Sequence, residues 1–239
     1  PNSLKAEEIR AEKIKLLRAL RPIGSDKVDD YVVRGQYTNG WIDGKPVVGY
    51  LEEEGAENSN SNNETFVAIK VEIDNWRWAG VPFYMRTGKR LNAKHTEIII
   101  AYKESSHSII ADKPLDSSNK LVIRLQPNEG IELEMISKKQ SLKQRLSTEK
   151  RVLNLDFHDS DSDKRVVDAY ERLFLELIKG DQWLFVSREE IETSWDWCDQ
   201  IIDAWNKNKS PTRLYSAGSG GPAKAEVLIE SDGRSWHGQ

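Results

Sequence analysis

A succession of short segments rich in β-branched and aromatic residues dominates the chain between residues 31 and 136. In one of them, TFVAIKVEI, the set Phe66, Ala68, Lys70 and Glu72 alternates with the apolar set Val67, Ile69, Val71 and Ile73. Such alternation is typical of β-strands, whose successive side chains point to opposite faces of a sheet. Short turns connect many of the segments, which favours antiparallel pairing. The strand-like segments are YVVRGQY, PVVGYLEE, TFVAIKVEI, VPFYMR, TEIIIAYK, KLVIRLQ and IELEMI.

Three other segments have helical spacing. The first runs from Ser3, a capping residue, to Leu20, before Pro22. The last begins at Ser187 with a capping-box pair to Glu190. Between them, a helix that Gly180 is placed to end carries one apolar face, made of Val166, Tyr170, Leu173, Phe174, Leu177 and Ile178.

These elements predict an α+β fold with a large, predominantly antiparallel sheet and helices packed on one face. We expect one domain over residues 1–239, with a leading helix inside residues 1–22. The segment EEEGAENSNSNNE, residues 52–64, has almost no apolar content, which predicts an exposed, mobile loop.

The composition limits the class of protein. The formal net charge of −4 argues against a general binder of nucleic acid, and no run approaches the roughly 18 apolar residues of a membrane helix. The single cysteine, Cys198, cannot form an internal disulfide, so we expect a reducing cytoplasm. The first residues, PNSLKAEEIRAEKIK, open directly on a helix, which suggests a segment of a larger protein.

Common catalytic and cofactor motifs are absent from the sequence. It contains no G-x-G-x-x-G loop, P-loop, C-x-x-C pair or H-E-x-x-H helix, and its four histidines are scattered. We therefore assign no catalytic residue and no metal ligand. The basic run KKQSLKQRLSTEKR, residues 138–151, lacks interleaved aromatic residues for base stacking, so a solvated face or strand edge is the preferred interpretation.

A second basic cluster lies in VPFYMRTGKRLNAKHTEI, residues 81–98. Here Arg86, Lys89 and Lys94 surround a strand end and a glycine-containing turn. Such charges can converge on a compact dianion such as a phosphate monoester, where lysine acts as a point charge with three donors. Ordinary solubilising charge at a turn is the alternative, and spacing alone leaves both open.

The segment DNWRWAGVPFYMRTGKRLNAKHTEI resembles the glucose-6-phosphate dehydrogenase motif in which a W-x-G-V-P-F strand leads into R-T-G-K-x-L. Further segments that resemble this family follow in matching order and span nearly the whole chain. They are IRAEKIKLLRALRP, VRGQY, LVIRLQPNEGI, DAYERLFLELIKGD and YSAGSGGP. The resemblance is to the carboxyl-terminal β+α domain of that enzyme, without its dinucleotide-binding half.

The resemblance implies a set of substrate contacts. Lys89, in RTGK, and Lys94, five residues on, match the lysines that bind the substrate phosphate. Gln126, in the Q-P-N-E motif, matches a partner of a sugar hydroxyl or of the phosphate. The implied partners are glucose 6-phosphate and a second copy of the chain, paired through the sheet. No catalytic residue is implied here, and NADP is bound mainly by the absent amino-terminal half, so this chain alone is expected to be inactive.

Two departures from the family pattern concern other sites. Arg86 and Arg124 match basic residues of a second, structural NADP site of animal members, but His95 and Ile99 stand where further basic residues are expected. Gly220 replaces the tryptophan of a G-S-W-G-P motif, which predicts different local packing. A free-standing sugar-phosphate sensor and a non-catalytic dimerisation module remain alternative functions.

Overall fold

The computed structural model describes residues 1–56, 60–103, 118–139, 148–157 and 169–238. Five α-helices lie within these ranges: α1 Ala6–Arg18, α2 Val28–Tyr31, α3 Ala169–Lys179, α4 Arg188–Asn208 and α5 Ala223–Glu230. The described strands are β1 Val32–Thr38, β2 Gly40–Ile42, β3 Lys45–Val47, β4 Phe66–Val71, β5 Phe83–Gly88, β6 Thr96–Ala101, β7 Lys120–Gln126, β8 Gly130–Lys138, β9 Thr148–Asp156 and β10 Arg213–Ser216. A 3₁₀ turn occupies Tyr50–Glu52.

Contacts between Cα atoms divide the chain into two units. The first unit comprises residues 1–92 and 165–239, and the second comprises residues 93–164. Each contains one four-stranded sheet. The α+β class and the antiparallel sheets predicted from the sequence are confirmed. The described strands form two separate four-stranded sheets and a β2–β3 hairpin, where the sequence predicted one large sheet.

The sheet of the first unit has the order β10-β1-β4-β5 and is covered on both faces. On one face Phe66 and Tyr215 pack with Leu228 of α5. On the other face Val32 packs with Ile201 and with Trp205 of α4. The side chains of β1 and β4 alternate between the two cores, which is why β4 reads as a nearly continuous apolar run and β1 opens with two apolar residues.

The helices of the first unit show how local signals and packing combine. Ser187 caps α4 as predicted, because its hydroxyl accepts a hydrogen bond from the Glu190 backbone N–H over 3.2 Å. The capping box is not completed, since Glu190 Oε1 lies 3.1 Å from Lys13 Nζ and Oε2 has no hydrogen-bond partner among the described residues. Gly180 follows α3 with a φ of 73°, as its predicted role at the end of that helix requires. By contrast, α1 begins at Ala6 with Lys5 at its N-cap, three residues later than the sequence predicted.

Helix α3 differs from the expectation that its apolar face packs on a sheet. Tyr170, Phe174, Leu177 and Ile178 are exposed on this helix. Its buried residue is the polar Glu176, which accepts hydrogen bonds from Trp183 Nε1 over 3.2 Å and from Lys179 over 3.1 Å. Glu176 therefore links α3 to the segment that follows the helix.

The sheet of the second unit has the order β6-β7-β8-β9 and is antiparallel throughout. Its register aligns aliphatic side chains across all four strands. One such row is Ile98, Ile123, Ile131 and Leu155, and the next is Ile100, Leu121, Leu133 and Leu153. We call these eight residues the apolar face.

The opposite side of the same sheet carries most of its charge. Arg124 forms an ion pair with Asp156 over 2.5 Å, and Lys150 forms one with Glu134. Ile99 lies on this side, opposite Val122 in the register. We call this side the charged face. Along each strand, residues of the apolar face therefore alternate with residues of the charged face, as is typical of a sheet whose two surfaces have different environments.

Several predicted segments fall partly outside the described residues. Of the loop predicted at 52–64, residues 57–59 are not described, and Gln36 Nε2 donates to the carbonyls of Ser61 and Asn63 over 2.9 and 3.0 Å. Of the basic run 138–151, residues 140–147 are not described; Lys138 is the last residue of β8, Lys139 follows it, and residues 148–151 begin β9. No helix in the described ranges has the length and apolarity that crossing a membrane requires.

Candidate functional site

The turn that follows β5 is built around a close approach to β4. Gly88 lies opposite Phe66 in the register, and a Cβ atom on Gly88 would lie 2.7 Å from the Phe66 ring. Only glycine fits there without displacing a buried aromatic side chain. Arg90, two residues later, has a φ of 52°, which turns the chain away from the strand. We call residues 88–92 the lysine turn.

The backbone of Lys89 is held by two hydrogen bonds. Its N–H donates to the Thr65 carbonyl over 2.8 Å, and its carbonyl accepts a hydrogen bond from the buried Tyr215 hydroxyl over 2.7 Å. Burial raises the pKa of the Tyr215 hydroxyl, so this group remains protonated and available as a donor. The position of Lys89 is therefore determined by Thr65, the residue before β4, and by Tyr215 of β10.

A second loop, residues 216–221, is hydrogen-bonded to the lysine turn. The Gly218 N–H donates to the Arg90 carbonyl over 2.7 Å, and the Asn92 N–H donates to the Ser219 carbonyl over 3.0 Å. Residues 216–221, here called the glycine loop, belong to the YSAGSGGP segment. At Gly221 the φ is 111°, and a Cβ atom there would lie 2.5 Å from the Phe66 ring. The glycine loop and the lysine turn thus pack on the same aromatic residue.

The basic side chains near this turn differ in whether they already have a partner within the chain. Arg90 pairs with Glu53, whose carboxylate lies 2.9 Å from Nη2, and hydrogen bonds from Tyr37 and then Arg90 lower the pKa of Glu53. Arg86 lies over the Trp236 ring at 4.6 Å. The Lys89 side chain is exposed and has no hydrogen-bond or ion-pair partner among the described residues. Lys89 is therefore able to bind an anion without first breaking a contact within the chain.

Lys94 and Gln126 lie in the second unit, at one end of its sheet. Gln126 is the last residue of β7, next to a cis peptide bond to Pro127, and it lies opposite Thr96, the first residue of β6. Lys94 precedes Thr96 by two residues. Both side chains are exposed, and neither has a polar partner within the described parts of the chain. An ammonium group and an amide are thus presented from the same end of one β-strand pair.

Arg124 is committed to contacts within the charged face. Its Nη2 donates to Asn154 Oδ1 over 2.7 Å and to Asp156 Oδ1 over 2.5 Å. A Cβ atom on Gly130 would lie 2.7 Å from that same nitrogen, so the glycine leaves room for the guanidinium. Nearby, His95 Nε2 lies 3.6 Å from Glu97 Oε1. These basic groups already have acidic or amide partners.

The residues predicted from the sequence are therefore divided between the two units. Lys89 lies in the first unit, and Lys94 with Gln126 lies in the second. None of the three lines the open groove of about 660 Å³ in the first unit, which lies between the β2–β3 hairpin and residues 216–219. Across the described ranges, no three His, Cys, Asp or Glu side chains are arranged to hold a metal ion.

Sequence reasoning missed the residue that fixes the lysine turn. Tyr215 was recognised only as part of the YSAGSGGP segment, and nothing in its spacing predicts a hydrogen bond to Lys89, 126 residues away. The sequence offered only an indirect signal. The segments around Lys89 and Tyr215 both match motifs of one family, which makes them candidates for contact. β10, which carries Tyr215, was not predicted as a strand either.

Comparison with known proteins agrees with the motifs. The family model described as "Glucose-6-phosphate dehydrogenase, C-terminal domain" matches residues 1–237. The glucose-6-phosphate 1-dehydrogenase of Dickeya dadantii (strain 3937) is 48% identical over 240 residues, which cover 99% of this chain and 48% of that protein. The enzyme of Rhizobium meliloti (strain 1021) is 47% identical, with coverages of 99% and 48%. The chain spans about half the length of these relatives.

Solved structures show the same correspondence. A glucose-6-phosphate dehydrogenase in complex with its substrate glucose-6-phosphate superposes with a TM-score of 0.83 at 32% identity, over 99% of this chain and 46% of that one. The glucose-6-phosphate 1-dehydrogenase of Mycobacterium avium superposes with a TM-score of 0.78 at 29% identity, over 100% and 46%. Motifs, fold and sequence identity therefore agree that this chain belongs to the glucose-6-phosphate dehydrogenase C-terminal domain family.

Proposed function

We propose that this chain is the substrate-binding and oligomerisation part of an NADP-dependent glucose-6-phosphate dehydrogenase, which oxidises glucose 6-phosphate to the 6-phosphogluconolactone. The observation that carries the proposal is the state of Lys89. Its backbone is held by Thr65 and Tyr215, while its exposed ammonium group has no partner in the described structure. A fixed backbone with an unpaired charge favours binding of an external anion, since only the lysine side chain has to be ordered on binding.

Lys89 and Lys94 are the proposed ligands of the substrate phosphate. A lysine ammonium offers three donors to phosphate oxygens, and a charge-assisted hydrogen bond contributes roughly 1.5–3 kcal/mol. Both side chains are exposed and lack polar partners among the described residues. The motif R-T-G-K and the lysine five residues on support these roles.

Gln126 is the proposed partner of a sugar hydroxyl or of the phosphate. Its amide both donates and accepts, which suits a hydroxyl group. Its place at the end of β7, opposite Thr96, leaves the amide exposed and without a described partner. The Q-P-N-E motif supports the assignment.

The cofactor is assigned mainly to the amino-terminal half of the parent enzyme. This sequence has no G-x-G-x-x-G loop to hold a dinucleotide phosphate at a helix N-terminus. NADP, when bound, accepts the hydride from the sugar. The residues of this chain bind and orient the sugar phosphate, and we assign none of them as the catalytic base.

We also propose that the chain forms a homodimer or a higher homo-oligomer through the sheet of its second unit. The residue that tests this is Ile99, which lies on the charged face. If that face contacts a second copy, Ile99→Asp should give folded monomer, because a buried unpaired carboxylate opposes association. Sedimentation of wild type that remains at monomer mass at high concentration contradicts the dimer.

The substrate assignment is tested in the full-length enzyme with Lys89→Ala. Loss of one charge-assisted bond should lower kcat/KM for glucose 6-phosphate about ten- to a hundredfold, since ~1.4 kcal/mol corresponds to a factor of ten. Turnover of glucose, which has no phosphate, should change much less.

Arg90→Ala provides a matched control for that experiment, because Arg90 is the next residue, is also basic, and is engaged by Glu53. It should change kcat/KM less than about threefold, as expected for an exposed ion pair. If Lys89→Ala lowers the rates with glucose and with glucose 6-phosphate equally, Lys89 does not bind the phosphate. A protein that binds glucose 6-phosphate but never turns it over would instead favour a sensor.

A further inference from the structure

The side chain of Thr65 accepts a hydrogen bond at the point where β1 and β4 stop pairing. Their antiparallel pairing ends at Gly35 and Phe66, and the Thr65 N–H donates to the Gly35 carbonyl over 2.7 Å. Two residues further along β1, the Tyr37 N–H donates to Thr65 Oγ1 over 3.1 Å. The Thr65 hydroxyl therefore satisfies a main-chain donor of β1 that no longer has a partner on β4.

The Tyr215 hydroxyl has one proton and three oxygen atoms near it. The Lys89 carbonyl lies 2.7 Å from Tyr215 Oη, whereas Thr65 Oγ1 lies 3.1 Å away and the Thr65 carbonyl 3.3 Å away. The Lys89 carbonyl is the preferred acceptor, because about 2.7 Å is the usual length of an O–H···O hydrogen bond. The contact between the two hydroxyls is then a hydrogen bond only if Thr65 donates to Tyr215, whose oxygen keeps two lone pairs.

The second contact of Thr65 agrees with this direction. Among the described residues, Thr65 Oγ1 has polar contacts with Tyr37 N and with Tyr215 Oη. A backbone N–H can only donate, so Tyr215 Oη is the acceptor for the Thr65 proton. The hydrogen bonds thus form one ordered series, from the Tyr37 N–H through the two hydroxyls to the Lys89 carbonyl. In such a series each bond polarises the next and strengthens it.

This series closes a hydrogen-bonded cycle around the main chain of Lys89. The Lys89 N–H donates to the Thr65 carbonyl over 2.8 Å. Thr65 therefore holds the Lys89 N–H directly and the Lys89 carbonyl through Tyr215. Without the Thr65 hydroxyl, the Tyr37 N–H loses its acceptor, and nothing in the series directs the Tyr215 proton to Lys89 rather than to the Thr65 carbonyl.

We propose that Thr65 is a positioning residue for Lys89, and that its hydroxyl directs the Tyr215 proton to the Lys89 carbonyl. The functional consequence rests on the proposed role of Lys89 as a ligand of the substrate phosphate. Thr65 acts through Lys89 and is assigned no contact with the substrate. Binding of the phosphate should therefore depend on a hydroxyl at residue 65, whereas the hydride-transfer step should not.

The test compares Thr65→Val with Thr65→Ser in the full-length enzyme. Valine is close to threonine in shape but has no hydroxyl, whereas serine keeps the hydroxyl. In Thr65→Val, KM for glucose 6-phosphate should rise about threefold to tenfold, the range expected when one hydrogen bond is lost. Its kcat should stay within about twofold of wild type, as should kcat/KM for glucose. Thr65→Ser should restore a KM close to that of wild type.

Thr38→Val is the matched control. Thr38 Oγ1 donates to the Tyr215 carbonyl over 3.2 Å, so this variant removes a part-buried hydroxyl beside the same tyrosine without breaking the series that ends at Lys89. It should lower the urea midpoint and leave KM unchanged. Equal increases in KM for Thr38→Val and Thr65→Val would show that general loosening of β10 is the cause, and would overturn the proposal.

Hydrogen exchange at the Lys89 amide tests the positioning role in the absence of substrate. Exchange should be about threefold to tenfold faster in Thr65→Val than in wild type, and unchanged in Thr65→Ser and Thr38→Val. Unchanged exchange in Thr65→Val would overturn the proposal. If Thr65→Val does not fold, Thr65→Ala removes the same hydroxyl, and the same outcomes decide.

The double variant Thr65→Val with Lys89→Ala separates this proposal from the proposed function. If Thr65 acts through Lys89, KM of the double variant should equal that of Lys89→Ala alone, and a further rise would contradict that route. If Lys89→Ala impairs glucose and glucose 6-phosphate equally, the phosphate role of Lys89 fails, while exchange at the Lys89 amide still decides whether Thr65 positions it. If Lys89→Ala is selective but Thr65→Val changes neither KM nor exchange, the role of Thr65 alone fails.

Discussion

The hydroxyl of Tyr215 donates a 2.7 Å hydrogen bond to the main-chain carbonyl of Lys89. The same hydroxyl lies 3.1 Å from Thr65 Oγ1, so the residue before β4, strand β10 and the lysine turn meet at one buried polar group. Tyr215 also packs against the Phe66 ring, with centroids 5.6 Å apart. The lysine turn is therefore held by the core of the first unit rather than by its own local hydrogen bonds.

Tyr215→Phe should loosen that turn without removing the charge of Lys89. Loss of the hydroxyl leaves the Lys89 carbonyl without its buried donor, and we expect a stability decrease of about 1–2 kcal/mol. In the full-length enzyme, KM for glucose 6-phosphate should rise about threefold with little change in kcat. Steady-state kinetics and urea unfolding check the two effects.

Tyr50→Phe is the control for that substitution, because the Tyr50 hydroxyl contacts the exposed Asn63 amide over 3.3 Å and does not touch the lysine turn. It should leave KM unchanged. Equal effects of the two phenylalanine variants on KM would mean that the Tyr215 hydrogen bond does not position Lys89.

Gly218→Ala should destabilise the chain through the glycine loop. Gly218 has a φ of 85°, and a Cβ atom there would lie 1.9 Å from the Trp41 carbonyl oxygen. Strain at positive φ and overlap with a backbone atom each contribute about 1–3 kcal/mol, so we expect a loss of about 3–5 kcal/mol. Thermal and urea unfolding measure it.

Gly44→Ala separates strain from overlap. Its φ of 73° is similar, but nothing lies within 4 Å of the added Cβ atom. We expect a loss of about 1 kcal/mol, from the backbone conformation alone. Similar losses at Gly44 and Gly218 would argue against the close approach of the hairpin to the glycine loop.

Asp232→Asn should reduce stability in a way that depends on pH. The Asp232 carboxylate lies 2.5 Å from Lys70 Nζ and accepts a hydrogen bond from the Tyr84 hydroxyl. Lys70 first, and then Tyr84, lower the pKa of Asp232 below its ordinary value of 3.8. Because the folded state favours the ionised form, its stabilisation is present above pH 3.8 and is lost as the pH falls through the lower folded value.

We therefore expect Asp232→Asn to lose about 1–2 kcal/mol near pH 7, with the difference from wild type shrinking below about pH 4. Urea unfolding at several pH values measures this. Asp196→Asn is the control, since Asp196 is exposed and has no partner among the described residues, and it should lose less than about 0.5 kcal/mol. A difference for Asp232→Asn that persists unchanged at pH 3 contradicts the ion-pair explanation.

The chain of 239 residues alone should show no dehydrogenase activity, because it lacks the dinucleotide loop. NADPH formation at saturating glucose 6-phosphate is the measurement. Typical enzymes turn over ~10 times per second, and a rate within about a hundredfold of that would disprove the expectation.

Local signals in the sequence were sufficient for many elements. The Ser187 N-cap and the glycine after α3 depend on neighbours within four residues, and both are found in the structure. Most strand segments were also predicted, because alternation of apolar residues is independent of which strand lies alongside. The same is true of the family motifs, which place Lys89, Lys94 and Gln126 among the candidates by short-range spacing.

The partners of those segments depend on contacts between residues distant along the chain. β10 has only four residues, and no alternation of apolar residues predicts it as a strand. It nevertheless pairs in parallel with β1, which places the Tyr215 hydroxyl within hydrogen-bond distance of the Lys89 carbonyl. The opposition of Thr96 and Gln126, and the aliphatic rows of the second sheet, likewise follow from register. A strand slipped by one residue would present its other face, and only the packed tertiary structure selects between such registers. The sequence by itself therefore determined the elements and the family, while tertiary packing decided which residues meet.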